Sequence, residues 1–302
     1  MVAAITIRRQ SVRWFNDSLL FGTNRYHEFF AQQCLGACLK SHITGLLVSC
    51  FLLLPFGIGS ASAADLTVGA NIGNVPWEFQ NAEGQFVGFE LDLVHEVGSR
   101  LNKTVEIVNI PFNGLFSAVQ SGRIDIAVSS ITITEKRLAS VAFAQPYYDS
   151  AQSLTVSARS SAKGLDDMQD KVIGVDTGST GDMWTTANQP KYGFADIRRF
   201  EGLAPAMLDM QTGRIDGYIS DIPALEYFIK GKSHFKIIER IETGESYSMM
   251  FARMNPLVQE VDAIISELKR EGFVAGLHEK WFGTVPSSTS STVLVTLSTK
   301  LQ

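Results

Sequence analysis

From residue 65 onward the chain alternates short apolar runs with stretches whose apolar positions recur every three or four residues, and each pattern predicts its own element. Leu66 to Ala70 reads as a strand, Phe89 to Leu101 as an amphipathic helix and Thr104 to Ile110 as a second strand. A helix over Leu115 to Gln120 is closed by Gly122, and Ile124 to Ser129 forms a third strand. The same order then returns. Val172 to Val175 is a strand entering a turn at 178–181, Pro205 to Gln211 is a helix ending near Gly213, and Ile215 to Ile219 is a strand ending at Ser220-Asp221. Strands alternating with helices predict α/β architecture, and the repeated order predicts two similar lobes.

Extended segments at Ser153 to Ser157 and Ser246 to Ala252 read as strands crossing between the lobes, and helices over Val258 to Glu271 and Val274 to Trp281 return to the first lobe. The expected division is 64–150 with 248–284 as lobe one, 151–247 as lobe two, and 285–302 as a disordered tail. The tail's Pro-Ser-Ser-Thr-Ser-Ser-Thr composition cannot build a core.

The first 63 residues follow neither pattern. Ile43 to Gly59 is almost wholly apolar, Lys40 and His42 precede it and Ala61-Ser62-Ala63 follows, the order of a secretory signal peptide cut after Ala63. Cleavage there removes residues 1–63 and delivers the mature chain to the periplasm. All three cysteines, Cys34, Cys38 and Cys50, fall in the removed part, so the mature chain is expected to hold no thiol and no disulfide. Cys50 is followed by apolar F-L-L-L-P-F rather than a polar tether, which argues against a lipid anchor. The whole chain is 45% apolar and 19% charged with a net charge of −5, and this mild acidity argues against a nucleic-acid partner.

The candidate chemistry lies at strand ends. Ser129 to Arg137 reads S-S-I-T-I-T-E-K-R directly after an apolar strand. Hydroxyls and amides followed by a guanidinium suit a carboxylate receptor, which makes Ser130, Thr132 and Arg137 candidate ligand contacts. The turn from Asp176 to Gly181 precedes a helix start at Asp182, and its amides either face an anion or simply connect strand to helix. No lysine follows its glycines, so it is not a phosphate loop. Asp221, two residues before Pro223, either caps a helix or faces the clamp as the partner of an ammonium. Glu90 and Asp92 are two apart and do not face each other on a helix. The mature chain has no G-x-S-x-G, no H-E-x-x-H and no cysteine–histidine metal spacing, so neither a cofactor nor a metal is expected.

Five motifs in order carry a family resemblance: N-V-P-W-E-F at 74–79, V-G-F-E-L-D-L at 87–93, the S-S-I-T-I-T-E-K-R run, G-R-I-D at 213–216 and K-W-F-G-T at 280–284. The chain resembles the periplasmic polar-amino-acid-binding proteins of ABC importers, solute-binding protein family 3, near the glutamine-binding and the histidine- and lysine/arginine-binding types. The resemblance implies an α/β two-lobe periplasmic-binding-protein fold of type II, with two hinge-crossing strands and a ligand cleft between the lobes. It implies that Arg137 and the amides of Thr132 and Thr180 hold an α-carboxylate, that Asp221 and Ser130 hold an α-ammonium, and that Phe112 and position 74 flank the side chain.

Asn71 stands where relatives usually place an Asp, Asn74 replaces a stacking ring, and Asp176 replaces a lysine of the glutamine type. The expected ligand is a polar L-amino acid with a cationic or amide side chain, passed by a monomeric protein to an ABC permease. Two other readings are a prephenate- or arogenate-type dehydratase on the same fold, with Asp176 or Glu78 as the acid, and a ligand-sensing module for a membrane partner.

Overall fold

The structure is a computed structural model, and it describes residues 64–296. The expected leader and its cleavage point after Ala63 lie outside the described residues.

Each lobe is built on a five-stranded sheet. The first opens with β1 (Leu66–Ala70), a small hairpin of β2 (Phe79–Gln80) and β3 (Phe86–Val87), and α1 (Phe89–Arg100). It continues through β4 (Val105–Asn109), α2 (Phe112–Gln120), β5 (Ile126–Val128), α3 (Glu135–Leu138) and β6 (Val141–Phe143). β7 (Tyr148–Ser157) leads into the second lobe, which holds β8 (Val172–Asp176), α4 (Thr180–Tyr192), β9 (Asp196–Phe200), α5 (Leu203–Gln211), β10 (Gly217–Asp221) and α6 (Ile222–Ile229). β11 (Phe235–Tyr247) leads back to β12 (Met250–Ala252), α7 (Leu257–Arg270) and α8 (Phe273–Phe282).

The sheet orders are β4-β1-β5-β12-β6 and β11-β7-β10-β8-β9. β4, β1 and β5 run parallel, as do β10, β8 and β9. In open α/β sheets ligands bind beyond the carboxyl ends of such strands.

A local repeat explains why the two lobes start alike. G-R-I-D occurs at 122–125 and again at 213–216. In each copy the aspartate caps the first strand of its lobe: Thr67 N–H donates to Asp125 Oδ2 at 2.8 Å, and Val172 N–H donates to Asp216 Oδ2 at 2.9 Å. The core of the first lobe gathers Phe89, Leu91, Leu93, Val94 and Val97 of α1 with Val68 of β1 and Val274 and Leu277 of α8. Burying each such side chain contributes about 1.5–3 kcal/mol. The second lobe packs Leu154, Val156, Ile173, Val175 and Ile219 in the same way.

The first crossing is longer than the sequence pattern predicts, and the second lies earlier in the chain: the expected strand Ser246 to Ala252 splits into the last residues of β11 and β12 of the first lobe's sheet, and Phe235–Tyr247 makes the crossing. β7 and β11 pair antiparallel from Ser157–Phe235 down to Tyr148–Tyr247. Tyr148 and Tyr247 stack at 5.8 Å and both meet Trp77 edge-on, which roots the crossing strands in the first lobe. α2 starts three residues before its predicted start, at Phe112, with Pro111 at its N-cap. β9 and α6 have no counterpart in the sequence reading.

The segment expected as a disordered tail is held to the first lobe as far as Thr296. Ser291 N–H donates to Asp149 at 2.7 Å, buried Lys269 donates to the Leu294 carbonyl at 2.9 Å, and Thr292 is buried. Polar bonds rather than apolar burial fix this strap, so its composition gave no sign of it.

Candidate ligand-binding cleft

A cavity of about 160 Å³ lies between the lobes. Strand ends of both lobes supply its wall. Asn71 and Asn74 follow β1, Phe112 follows β4, and Ser130 and Thr132 follow β5, while Asp176 ends β8 and Asp221 ends β10. Arg137 on α3 and Thr180 at the start of α4 complete the set, so the structure brings all nine sequence-selected residues to one cavity.

Arg137 marks one end. Thr134 caps the short helix α3 by accepting from Arg137 N–H, and this aims the side chain inward. The guanidinium is buried, 6% exposed, and donates to the Thr132 carbonyl at 2.8 Å and the Gly178 carbonyl at 3.3 Å. The rings of Phe112 and Phe116 lie 5.5 and 5.2 Å from it. It makes no ion pair among the described residues. Burial pulls its pKa down to about 10, so it still carries its charge at neutral pH. A buried, unpaired guanidinium is an anion receptor in waiting.

Facing it is the first turn of α4. Ser179 caps that helix through Asp182 N–H, and the Thr180 amide belongs to the first turn, where backbone donors have no intrahelical acceptor. Gly181 allows this placement, because a Cβ there would lie 2.9 Å from the Ile219 carbonyl and 2.8 Å from Gln152 Oε1.

The opposite wall is acidic. Asp221 sits at the N-cap of α6, but its side chain makes no capping bond and lines the cavity. It accepts from Ser130 Oγ at 3.2 Å and from the Gln152 amide. Burial, and then the charge of Glu245, push its pKa up to about 7. Ser130 adopts a left-handed φ of 44° and is pinned from behind, its N–H donating to both oxygens of buried Glu90 at 3.0 and 2.9 Å. Asn74 lines the cavity, and its amide donates to Ser130 Oγ at 3.1 Å and Glu78 Oε1 at 3.0 Å, so it braces the wall that carries Asp221. Asp176, which also lines the cavity, has an Oδ1 without a hydrogen-bond partner among the described residues, and burial pushes its pKa up to about 6.

Four residues lie just behind this wall: Glu78, which the sequence reading offered as a candidate acid, Glu90, which it set aside, and Gln152 and Glu245, which it missed. Glu78 accepts from Ser129 Oγ at 2.7 Å, its Oε2 has no donor, and burial and then the neighbouring Glu90 push its pKa well up. Glu90 also accepts from the Tyr147 hydroxyl, and burial raises its pKa too. Gln152 and Glu245 lie on the crossing strands and bond each other at 2.9 Å. Glu78 is marked by the N-V-P-W-E-F motif, and Glu90 by its place on the apolar face of α1 between Phe89 and Leu91.

Two α/β lobes joined by two long strands around one small polar cavity define a ligand-trapping binding protein. Residues 66–284 match the model of the bacterial extracellular solute-binding proteins, family 3, and the chain belongs to that family. It is 26% identical over 239 residues to the arginine-binding periplasmic protein of Mannheimia haemolytica, covering 77% of this chain and 97% of that one. It is also 26% identical over 217 residues to the L-cystine-binding protein TcyJ of Escherichia coli K12, covering 69% and 79%. Among solved structures, an ancestral arginine-binding protein bound to arginine superposes with a TM-score of 0.69 at 30% identity, covering 72% of this chain and 98% of that one. The type II periplasmic-binding-protein fold is therefore the one this chain has, and its function is that of an extracytoplasmic solute-binding component for polar amino acids in ABC import.

Proposed function

We propose that the bound solute is an L-amino acid with a cationic side chain, held with its carboxylate on Arg137 and its ammonium on Asp221. One observation carries this reading: the cavity wall presents a single guanidinium without an ion pair, and the acidic side chains of Asp221 and Asp176 face the same space and likewise make no ion pair among the described residues. A zwitterion neutralises Arg137 and Asp221, and a side-chain cation then meets Asp176. An acidic side chain would place like charges together in a poorly solvated cleft. Arginine, named for two of the similar proteins, meets these requirements.

Binding without turnover is the better account of the carboxylates. Glu78 lies behind Ser129 and Asn74 and does not line the cavity, so only Asp176 of the two candidate acids could reach a substrate. Export through the leader ending at Ala63, a monomeric periplasmic form and hand-over to an ABC permease complete the reading. No helix among the described residues is long and apolar enough to cross a membrane.

A thermal-shift screen of the common amino acids on ligand-stripped protein tests it. At a hundredfold excess over Kd, ligand adds about 2.7 kcal/mol, or roughly 5–11 °C for a chain of this size. Arginine or lysine should give the largest rise and glutamate none. A rise with glutamate and none with arginine would refute the cationic assignment.

A further inference from the structure

Three contacts that cross between the lobes are made by groups facing the cavity: Ser130 Oγ to Asp221 at 3.2 Å, Arg137 to the Gly178 carbonyl at 3.3 Å and a long Thr132 Oγ1 to Thr180 Oγ1 contact at 3.5 Å. An arriving ligand competes for the first two donors. A further tie is different in kind. Glu245, near the end of β11, is 4% exposed, does not line the cavity and makes no ion pair among the described residues. Its Oε2 accepts from Thr132 Oγ1 of the first lobe and from Thr180 Oγ1 of the second, each at 3.0 Å. Gln152 on the adjoining strand β7 steadies the carboxylate from the side at 2.9 Å. One oxygen on a hinge-crossing strand thus holds a hydroxyl from each lobe.

We propose that Glu245 is the latch of the closed form, a positioning residue that ties the two lobes beneath the ligand without touching it. When the lobes part, one oxygen cannot follow both hydroxyls, so opening breaks a charge-assisted bond and leaves a buried carboxylate short of a donor, which is costly. The tie forms whenever the lobes close, with or without ligand, so its loss should open the ligand-free cleft and quicken release more than it alters capture. The same two bonds orient Thr132 and Thr180, the residues proposed to present amides to the ligand carboxylate, and in that respect the latch rests on the amino-acid reading above.

The test compares wild type with Glu245→Ala and Glu245→Gln. Arginine association and dissociation are followed by stopped-flow fluorescence. The ligand-free interlobe distance is read from a dye pair on cysteines introduced at exposed Lys103 and Lys163, with Cys34, Cys38 and Cys50 replaced by serine. Loss of one hydrogen bond to a charged group should speed release in Glu245→Ala by roughly ten- to a hundredfold. Association should stay within about threefold, and the ligand-free distances should lengthen. Glu245→Gln keeps a carbonyl oxygen for both hydroxyls but loses the charge, so its release should quicken by less than about tenfold and by less than that of the alanine variant, also guarding against an alanine variant that fails to fold. Release from Glu245→Ala within about twofold of wild type, or equal losses in the alanine and glutamine variants, would overturn the latch. A wild type that binds no amino acid would instead refute the cationic-ligand reading, and the ligand-free distances would still decide the latch.

Discussion

Arg137 shows how a single residue's environment sets its role. A surface arginine would gain little from a carboxylate, whereas this one is 6% exposed and holds only carbonyl partners. Removing it would leave the ligand carboxylate enclosed and unpaired, so Arg137→Ala should weaken arginine binding by about 3–5 kcal/mol, or roughly two to three and a half decades in Kd. Calorimetry checks this, and a loss under about threefold would contradict the clamp. Asp221, raised to about 7 in the ligand-free cleft, is partly protonated at neutral pH. A ligand ammonium favours its charged form, so binding near pH 7 should release a proton, visible as a binding heat that changes with the buffer's ionisation enthalpy. Asp221→Asn should abolish that buffer dependence.

Asp176 titrates near 6, so preference for arginine over glutamine should decline as pH falls through that value and be pH-independent in Asp176→Asn. These residues were legible because each follows an apolar strand within a few positions. Glu245 was not, since T-G-E-S-Y looks like an exposed turn until β11 is seen to run through it.

At the scale of elements, the hidden carboxylates support the strand-end turn that carries Ser130. Glu78 and Glu90 are both fully buried with no cation on them, and Glu78 in particular is pushed well above the ordinary carboxylate range, first by burial and then by its neighbour. A carboxyl with a raised folded pKa holds a proton that the unfolded chain releases, so stability should fall as pH rises from the ordinary range near 4.5 through the raised value. Glu78→Gln mimics the protonated form and should flatten that slope in melting curves taken between pH 4 and 8; an unchanged slope would count against a proton on this pair. The paired G-R-I-D copies act differently. Asp125→Ala should cost about 1–3 kcal/mol in denaturant unfolding, by orphaning the Thr67 amide, while leaving affinity unchanged. Periodicity exposed most strands and helices, but β9, Asp-Ile-Arg-Arg-Phe, carries too much charge to read as a strand, and α6 is masked by Pro223 at its start.

For the whole molecule, the architecture follows from one geometric fact: six parallel strands, three from each lobe, end at the same cleft, and two long strands join the lobes behind it. The repeat of elements made this arrangement legible, and the family motifs gave it a use. The C-terminal strap escaped notice because its bonds reach Asp149 and Lys269, far away in sequence. On the proposed reading the cleft takes two charges at a fixed separation from a side-chain cation, and that proposal is open to direct measurement. Calorimetric titration of ligand-stripped protein with arginine and with agmatine, its decarboxylated form, isolates the carboxylate contact. Arginine should bind one per chain and agmatine at least a hundredfold more weakly, since it leaves Arg137 unpaired. Agmatine binding within about threefold of arginine, or no binding of arginine at all, would contradict a clamped cationic amino acid.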